Sequence, residues 1–154
     1  MIRKALKTDI KELLNLLYQI HDLHLKLRPD LFIPGSKYDE KELEEIIDDE
    51  NRPIFIYEQD NKVVGYVFLK LYDREATKSV KKRKSVYIDD FCVDENFRNH
   101  GIGKTLYEFT FNYAKENGFD DIYLNVWNDN VEAYRFYEKI GFKPRTTIME
   151  KIIK

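Results

Sequence analysis

Apolar positions along the chain change their spacing several times, and each change marks an element. Ile2 to Leu6 is a short apolar start compatible with a first strand. Ile10, Leu13, Leu14, Leu17, Ile20, His24 and Leu27 then recur at helical spacing, with Asp9 and Glu12 at capping-box separation in front of them and Pro29 behind. Residues 29–37 carry Pro29, Pro34 and Gly35 and read as a loop holding Leu31 and Phe32. A second, acidic helix is predicted from Asp39 to Asp48, with Leu43, Ile46 and Ile47 as its apolar stripe. The spacing then shortens. Pro53 to Glu58 and Lys62 to Tyr72 read as strands joined at Gln59-Asp60-Asn61, and Asp73 to Lys84 is a polar connection to a third strand, Tyr87 to Val93. Leu106, Phe109, Thr110, Tyr113 and Ala114 restore the helical period over Thr105 to Asn117, closed by Asn117-Gly118. Ile122 to Trp127 is the next strand. Asn128-Asp-Asn130 opens a last helix, with Ala133, Phe136, Tyr137 and Ile140 on one face and Gly141 at its end, and Phe142 to Ile153 supplies a final strand or two.

This order of strand, two helices, three strands, helix, strand, helix and strand predicts an α+β or mixed α/β layered fold. At 154 residues and 43% hydrophobic content there is room for one domain, residues 1–154, with a full core. A net charge of −2, from 26 basic and 28 acidic residues, gives no field for nucleic acid, and the basic run Lys78 to Lys84 is a local feature of a hairpin tip. One cysteine makes no internal disulfide and no zinc site, and no apolar run is long enough to span a membrane. The expectation is a cytoplasmic protein without a metal, a membrane or a nucleic-acid partner.

The stretch YIDDFCVDENFRNHGIGK, residues 87–104, is where chemistry enters. A strand carrying two adjacent carboxylates, Asp89 and Asp90, runs through a turn into Arg98-Asn99-His100-Gly101-Ile102-Gly103 and a helix start. Glycines there allow close backbone approach, and a helix N-terminus offers free N–H donors and the positive dipole end to a phosphate or pyrophosphate. Lys104 in the first helical turn is unfavourable against that dipole unless an anion is present. The stretch is neither a Walker loop, since position 98 is arginine, nor a dinucleotide fingerprint, since Leu106 stands where a third glycine is needed. A plain glycine turn capping a helix is the alternative.

FRNHGIGKTL resembles the acetyl-CoA signature of the GNAT N-acetyltransferase superfamily, and NVEAYRFYEKIGF, residues 130–142, resembles its second conserved segment. The resemblance implies a mostly antiparallel central sheet flanked by helices and splayed between its fourth and fifth strands. It implies acetyl-CoA as cosubstrate, with the pantetheine arm in the splay against the backbone of Phe91, Cys92 and Val93. The pyrophosphate would lie over Arg98, Asn99, His100, Gly101, Ile102, Gly103 and Lys104. Asn99 departs from the glycine often found there, and asparagine tolerates left-handed backbone.

Acetyl transfer to an amine needs a base for the ammonium and an acid for the departing thiolate. The strand YIDDFCV resembles that of the spermidine/spermine acetyltransferase branch. The match assigns the base role to Asp89, acting through water, with Asp90 second, and a solvent-facing edge carboxylate is the alternative for either. Tyr137 matches the family acid near the sulfur, against a plain core tyrosine. Asn130 matches a coenzyme contact and is also a natural helix N-cap. Cys92 has no neighbouring histidine in the motif to activate it as a nucleophile. His24, Arg28 and Phe32 are the acceptor-site candidates, because the first two helices usually shape that pocket. The expected partner is a small-molecule amine, a polyamine or an amino-acid derivative, with a homodimer left open. A protein N-terminus or lysine as acceptor, and a non-catalytic acyl-CoA-binding or sensing module, are the rivals.

Overall fold

The computed structural model describes all 154 residues. Its elements are β1 (Ile2–Lys4), α1 (Ile10–Leu27), α2 (Glu40–Ile47), β2 (Ile54–Gln59), β3 (Lys62–Arg74), β4 (Arg83–Val93), α3 (Ile102–Glu116), β5 (Asp121–Leu124) and α4 (Val131–Lys139), with single 3₁₀ turns at Lys7–Asp9 and Glu95–Phe97. The five strands form one sheet in chain order. The first four pair antiparallel, and β4 pairs with β5 parallel, as a strand joined through the crossover helix α3 must.

Alternation along β2 and β3 divides the core into two layers. Ile54, Ile56, Tyr66 and Phe68 face α1 and α2, where Leu13, Leu16, Leu17 and Leu43 are buried. Phe55, Val67, Leu69, Val86 and Ile88 face α3, where Ile102, Leu106 and Ala114 close the other side. Each fully buried side chain of this size contributes about 1.5–3 kcal/mol of transfer free energy, so both helix layers are held by their stripes more than by helix propensity. The β2–β3 turn has Asp60 and Asn61 at φ 51° and 59°, the left-handed pair a tight hairpin requires.

Four expectations need correction. Asp9 does not cap α1. Its buried carboxylate takes the Leu6 N–H at 2.7 Å and both terminal nitrogens of Arg3, tying β1 to the 3₁₀ turn, while Glu12 accepts the Val63 N–H at 2.6 Å. The connection between β3 and β4 is shorter than the polar run suggested, because alternation along Arg83–Ser85 continues the ladder to Arg74. The final strand is absent: residues 143–154 pair with no strand and form no backbone hydrogen bond in this chain. The β5 strand also stops at Leu124 instead of Trp127, and that early stop opens the site.

Candidate active site

Pairing between β4 and β5 runs from Ser85–Asp121 to Ile88–Leu124. Beyond it the two strands part, and only the Asn125 amide donating to the Tyr87 hydroxyl at 3.1 Å reaches across. The wedge between them is a cleft of about 440 Å³. Its walls include Asp89, Asp90 and Phe91 from β4, Trp127 and Asn130 after β5, Tyr137 from α4, His21 and His24 from α1, and Phe32 and Lys37 from the loop before α2.

The two carboxylates sit side by side because β4 is irregular there. Phe68 pairs with Asp90 but Leu69 pairs with Ile88, so Asp89 is the extra residue of a bulge. A bulge re-aims side chains, and both acids turn toward the α1/α2 layer instead of alternating. Their surroundings then separate them. The Asp89 side chain is only 5% exposed and is fully engaged, with the Tyr38 hydroxyl at 2.5 Å, Lys37 Nζ at 3.2 Å and Lys70 Nζ at 3.4 Å. Burial alone would raise its pKa, but the Tyr38 hydrogen bond and the two ammonium groups outweigh that and hold it below the usual range. Asp90 has no cation in contact. It accepts the Phe91 N–H at 2.9 Å and a long bond from the buried Tyr66 hydroxyl, and burial, with Asp89 beside it, pushes its pKa up to about 6.

At the far end of β4 the chain enters a run of free donors. The N–H groups of Arg98 through Lys104 find no acceptor within the chain, and the first helical bond of α3 is Thr105 N–H to Gly101. Asn99 at φ 65° and Gly101 at φ 80° alternate left-handed residues into this run, the arrangement that curls successive amides around an anion. Gly103 lies in the first turn of α3 beside the Phe136 and Phe91 rings, where an added Cβ would meet the Phe136 ring at 3.4 Å.

The acetyltransferase (GNAT) family profile matches residues 17–142. The chain belongs to that family. It is 32% identical over 94 residues to an uncharacterized N-acetyltransferase of Methanocaldococcus jannaschii, covering 61% of this chain and 40% of that protein. It is 27% identical over 96 residues to the spermine/spermidine N(1)-acetyltransferase of Bacillus subtilis, covering 60% of this chain and 59% of the relative. The chain thus spans well under two thirds of each relative's own length. A solved mutant of the BH1408 protein from Bacillus halodurans superposes over 100% of this chain and 99% of its own, with TM-score 0.97 and 29% identity.

In this family setting Tyr137 stands inside the cleft. Its ring packs edge-on against Phe91, Phe136 and Phe142, and its hydroxyl makes no hydrogen bond within the chain. Burial, with Asp90 and Cys92 adding, raises its pKa above the ordinary phenol value. Asn130 is the N-cap of α4 through Ala133 N–H at 3.3 Å and also lines the cleft, so its two roles coexist. Of the backbone groups in Phe91, Cys92 and Val93, the Phe91 N–H is taken by Asp90 and the Val93 carbonyl accepts from Arg98 Nε at 3.1 Å. The Cys92 thiol is buried in the α1 layer and pushed up to about 12 by that burial, which leaves it without thiolate character.

On the acceptor side, His24 stacks on Phe32 at 5.7 Å and Phe32 meets Trp127 edge-on at 5.9 Å. Arg28 lies behind this wall, over Trp127 and paired with Asp30 and Glu150, and does not line the cleft. Sequence reasoning missed Lys37, Tyr38, Lys70 and Trp127. Trp127, the lone tryptophan, just past a strand that ends early, carried a usable signal. The other three reach Asp89 from two distant segments, Lys37 and Tyr38 from the loop before α2 and Lys70 from β3, and carried none.

Proposed function

We propose that this protein transfers the acetyl group of acetyl-CoA to a primary amine of a small molecule by direct attack, with Asp90 as the base and Tyr137 as the acid. The observation that supports it is the meeting, in one cleft between split strands, of a carboxylate with pKa near neutrality and a phenol with a free hydroxyl, one strand's length from an unfilled run of amide donors. Acetyl-CoA would supply an activated acetyl thioester. The N–H groups of Arg98 to Lys104 fit its pyrophosphate, and the unpaired edge of β4 beyond Ile88 leaves space for an amide-bearing arm. Asp90 takes the proton of the incoming ammonium, and Tyr137 Oη holds the proton that the departing sulfur requires. Asp89, neutralised by two lysines and bonded to Tyr38, serves as the post that fixes the bulge.

The name of the Bacillus subtilis relative points to a polyamine acceptor. The acceptor wall here favours another kind of amine. Phe32 and Trp127, with the His21 and His24 rings beside them, give this wall an aromatic face, and Asp89 is already satisfied by Lys37 and Lys70, so an amine that also bears an aromatic group, such as an amino-acid derivative, fits better than a bare polycation. Turnover of acetyl-CoA across polyamines, aminoglycosides, aromatic amino acids and amino-terminal peptides tests both levels. Turnover on none of them, with intact coenzyme binding, would instead indicate a sensing module. Phe32→Ala is expected to raise the acceptor's KM more than that of acetyl-CoA, and the reverse pattern would move the acceptor elsewhere.

The amide run has its own test. Lys104 is exposed and lies in the first turn of α3, where proline is tolerated. Lys104→Ala removes the ammonium, and Lys104→Pro also removes one N–H donor. The proline variant is expected to bind acetyl-CoA roughly tenfold more weakly than the alanine variant, the size of one hydrogen bond to a charged group. Equal affinity by calorimetry in two folded variants would remove the pyrophosphate from this turn.

A further inference from the structure

Arg28 carries a set of bonds that neither the chemistry of the cleft nor the packing of the core uses. Its backbone ends α1: the N–H donates to the His24 carbonyl at 2.8 Å, and φ −135° with ψ 69° leaves the helix. The Arg28 carbonyl then accepts the N–H groups of Leu31 and Phe32, both at 3.1 Å, which turns the chain so that the Phe32 ring comes back over His24. Placement of one aromatic face of the acceptor wall therefore begins at this residue.

The side chain reaches the other face. All three guanidinium nitrogens are engaged: Nε and Nη2 donate to the two carboxylate oxygens of Asp30 at 2.9 and 2.8 Å, and Nη1 pairs with Glu150 at 2.7 Å. A planar fork held on both sides by carboxylates keeps one orientation, and here its central carbon lies 5.2 Å from the centre of the Trp127 ring. Trp127 needs such a hold. β5 has already ended at Leu124, the residue is 38% exposed, and its aromatic neighbour Phe32 meets it edge-on at 5.9 Å. Glu150 comes from residues 143–154, which form no backbone hydrogen bond in this chain. The tail is thus fastened to the acceptor wall through a side chain.

We propose that Arg28 is a positioning residue for the amine acceptor, fixing Phe32 and Trp127 as one aromatic wall, and that Glu150 of the tail locks it in place. The inference rests on the acceptor side assigned above and gives that wall its cause. Arg28 touches no reacting atom, since it stands behind the wall and outside the cleft. A wall that is ordered before the amine arrives charges no ordering cost against binding, so loss of the clamp weakens the acceptor and leaves the chemical step alone. An arginine at the end of α1 has a plainer role, as a positive charge at the negative end of the helix dipole. Lysine meets that role. The simultaneous hold on Asp30, Glu150 and the indole ring needs the planar guanidinium.

Trp127 is the lone tryptophan, so the intrinsic emission of the full chain, with acrylamide as quencher, reads the wall directly. Arg28→Met keeps the side chain's reach and removes the fork, Arg28→Lys keeps the charge, and Glu150→Gln removes the charge of the lock. All three are expected to keep native circular dichroism and acetyl-CoA affinity. Quenching should rise least in Glu150→Gln, further in Arg28→Lys and most in Arg28→Met. With phenylalanine as acceptor, KM in Arg28→Met should rise about two- to fivefold, the factor that one cation–π contact at an exposed site corresponds to, while kcat and the KM of acetyl-CoA hold. Native quenching in a folded Arg28→Met variant overturns the proposal, whatever the enzyme acetylates. Full restoration of quenching and KM by Arg28→Lys overturns it too, leaving a helix-end charge, and so does raised quenching with an unchanged phenylalanine KM. Absence of turnover on phenylalanine in the native protein refutes the aromatic acceptor, and the quenching series then decides the clamp by itself.

Discussion

Asp90→Asn is expected to lower turnover by roughly 10²- to 10⁴-fold while acetyl-CoA affinity stays nearly unchanged, and to abolish the acidic limb of the pH profile. The base must be ionised to act. With the Asp90 carboxyl pushed up to about 6 by burial, native kcat/KM should fall as pH drops through about 6, because that is where the group takes up its proton. Stability should move the opposite way. The folded pKa lies above the value of about 3.9 expected in the unfolded chain, so the folded state binds more protons between those values and loses stability as pH rises through them. Above that window the ionised Asp90 is a standing cost. Asparagine keeps the acceptor oxygen for Phe91 N–H and Tyr66 and carries no charge, so the variant's Tm at neutral pH should hold or rise. Loss of turnover together with a higher Tm identifies a base. A purely structural carboxylate would show a lower Tm and full turnover per folded molecule.

The same substitution at Asp89 separates the pair. Its pKa is depressed, so its contribution to stability is present above the unfolded value and lost as pH falls through the folded one. Asp89→Asn leaves Lys37 and Lys70 facing each other without their anion and should destabilise the protein while the acidic limb near pH 6 remains. A limb that vanished in Asp89→Asn and persisted in Asp90→Asn would return the base role to Asp89.

What was legible in the sequence follows from how local each cause is. The helices, the β2–β3 hairpin and the order of the strands rest on periodicity and turn residues a few positions apart, and they stand where the pattern put them. The α+β sheet with its parting between β4 and β5 follows from the same order read with the two family segments. The choice between Asp89 and Asp90 was not legible. It depends on a bulge opposite Phe68 and Leu69, and on Lys37 and Tyr38 from a loop about fifty residues away. The neighbours of Gly103 were equally out of reach, since Phe136 lies on a later helix. The final strand expected over Phe142 to Ile153 is not formed: the composition there is strand-like, but a strand exists only against an edge, and residues 143–154 pair with none.

Tyr137→Phe is the sharpest division between catalysis and binding in this site. The ring does structural work that phenylalanine retains, since its contacts with Phe136 at 5.4 Å, Phe142 at 5.6 Å and Phe91 at 6.3 Å are all made by the aromatic face or edge. The hydroxyl does none that the chain records. It bonds to no protein atom, so its removal leaves no buried partner stranded, and the change in stability should stay below the 1–3 kcal/mol typical of an orphaned group. Burial and the nearby Asp90 carboxylate keep the phenol protonated well past neutral pH, which is the state a donor to a departing thiolate must have. Turnover is therefore expected to fall by about 10²- to 10⁴-fold with Tm and acetyl-CoA affinity nearly constant. Asp90 and Tyr137 serve one transfer, so combining Asp90→Asn with Tyr137→Phe should cost much less than the product of the single losses. Measuring kcat and Tm on one preparation decides it: full kcat in the phenylalanine variant would leave Tyr137 as packing alone, and the acid would have to be sought elsewhere in the cleft or in solvent.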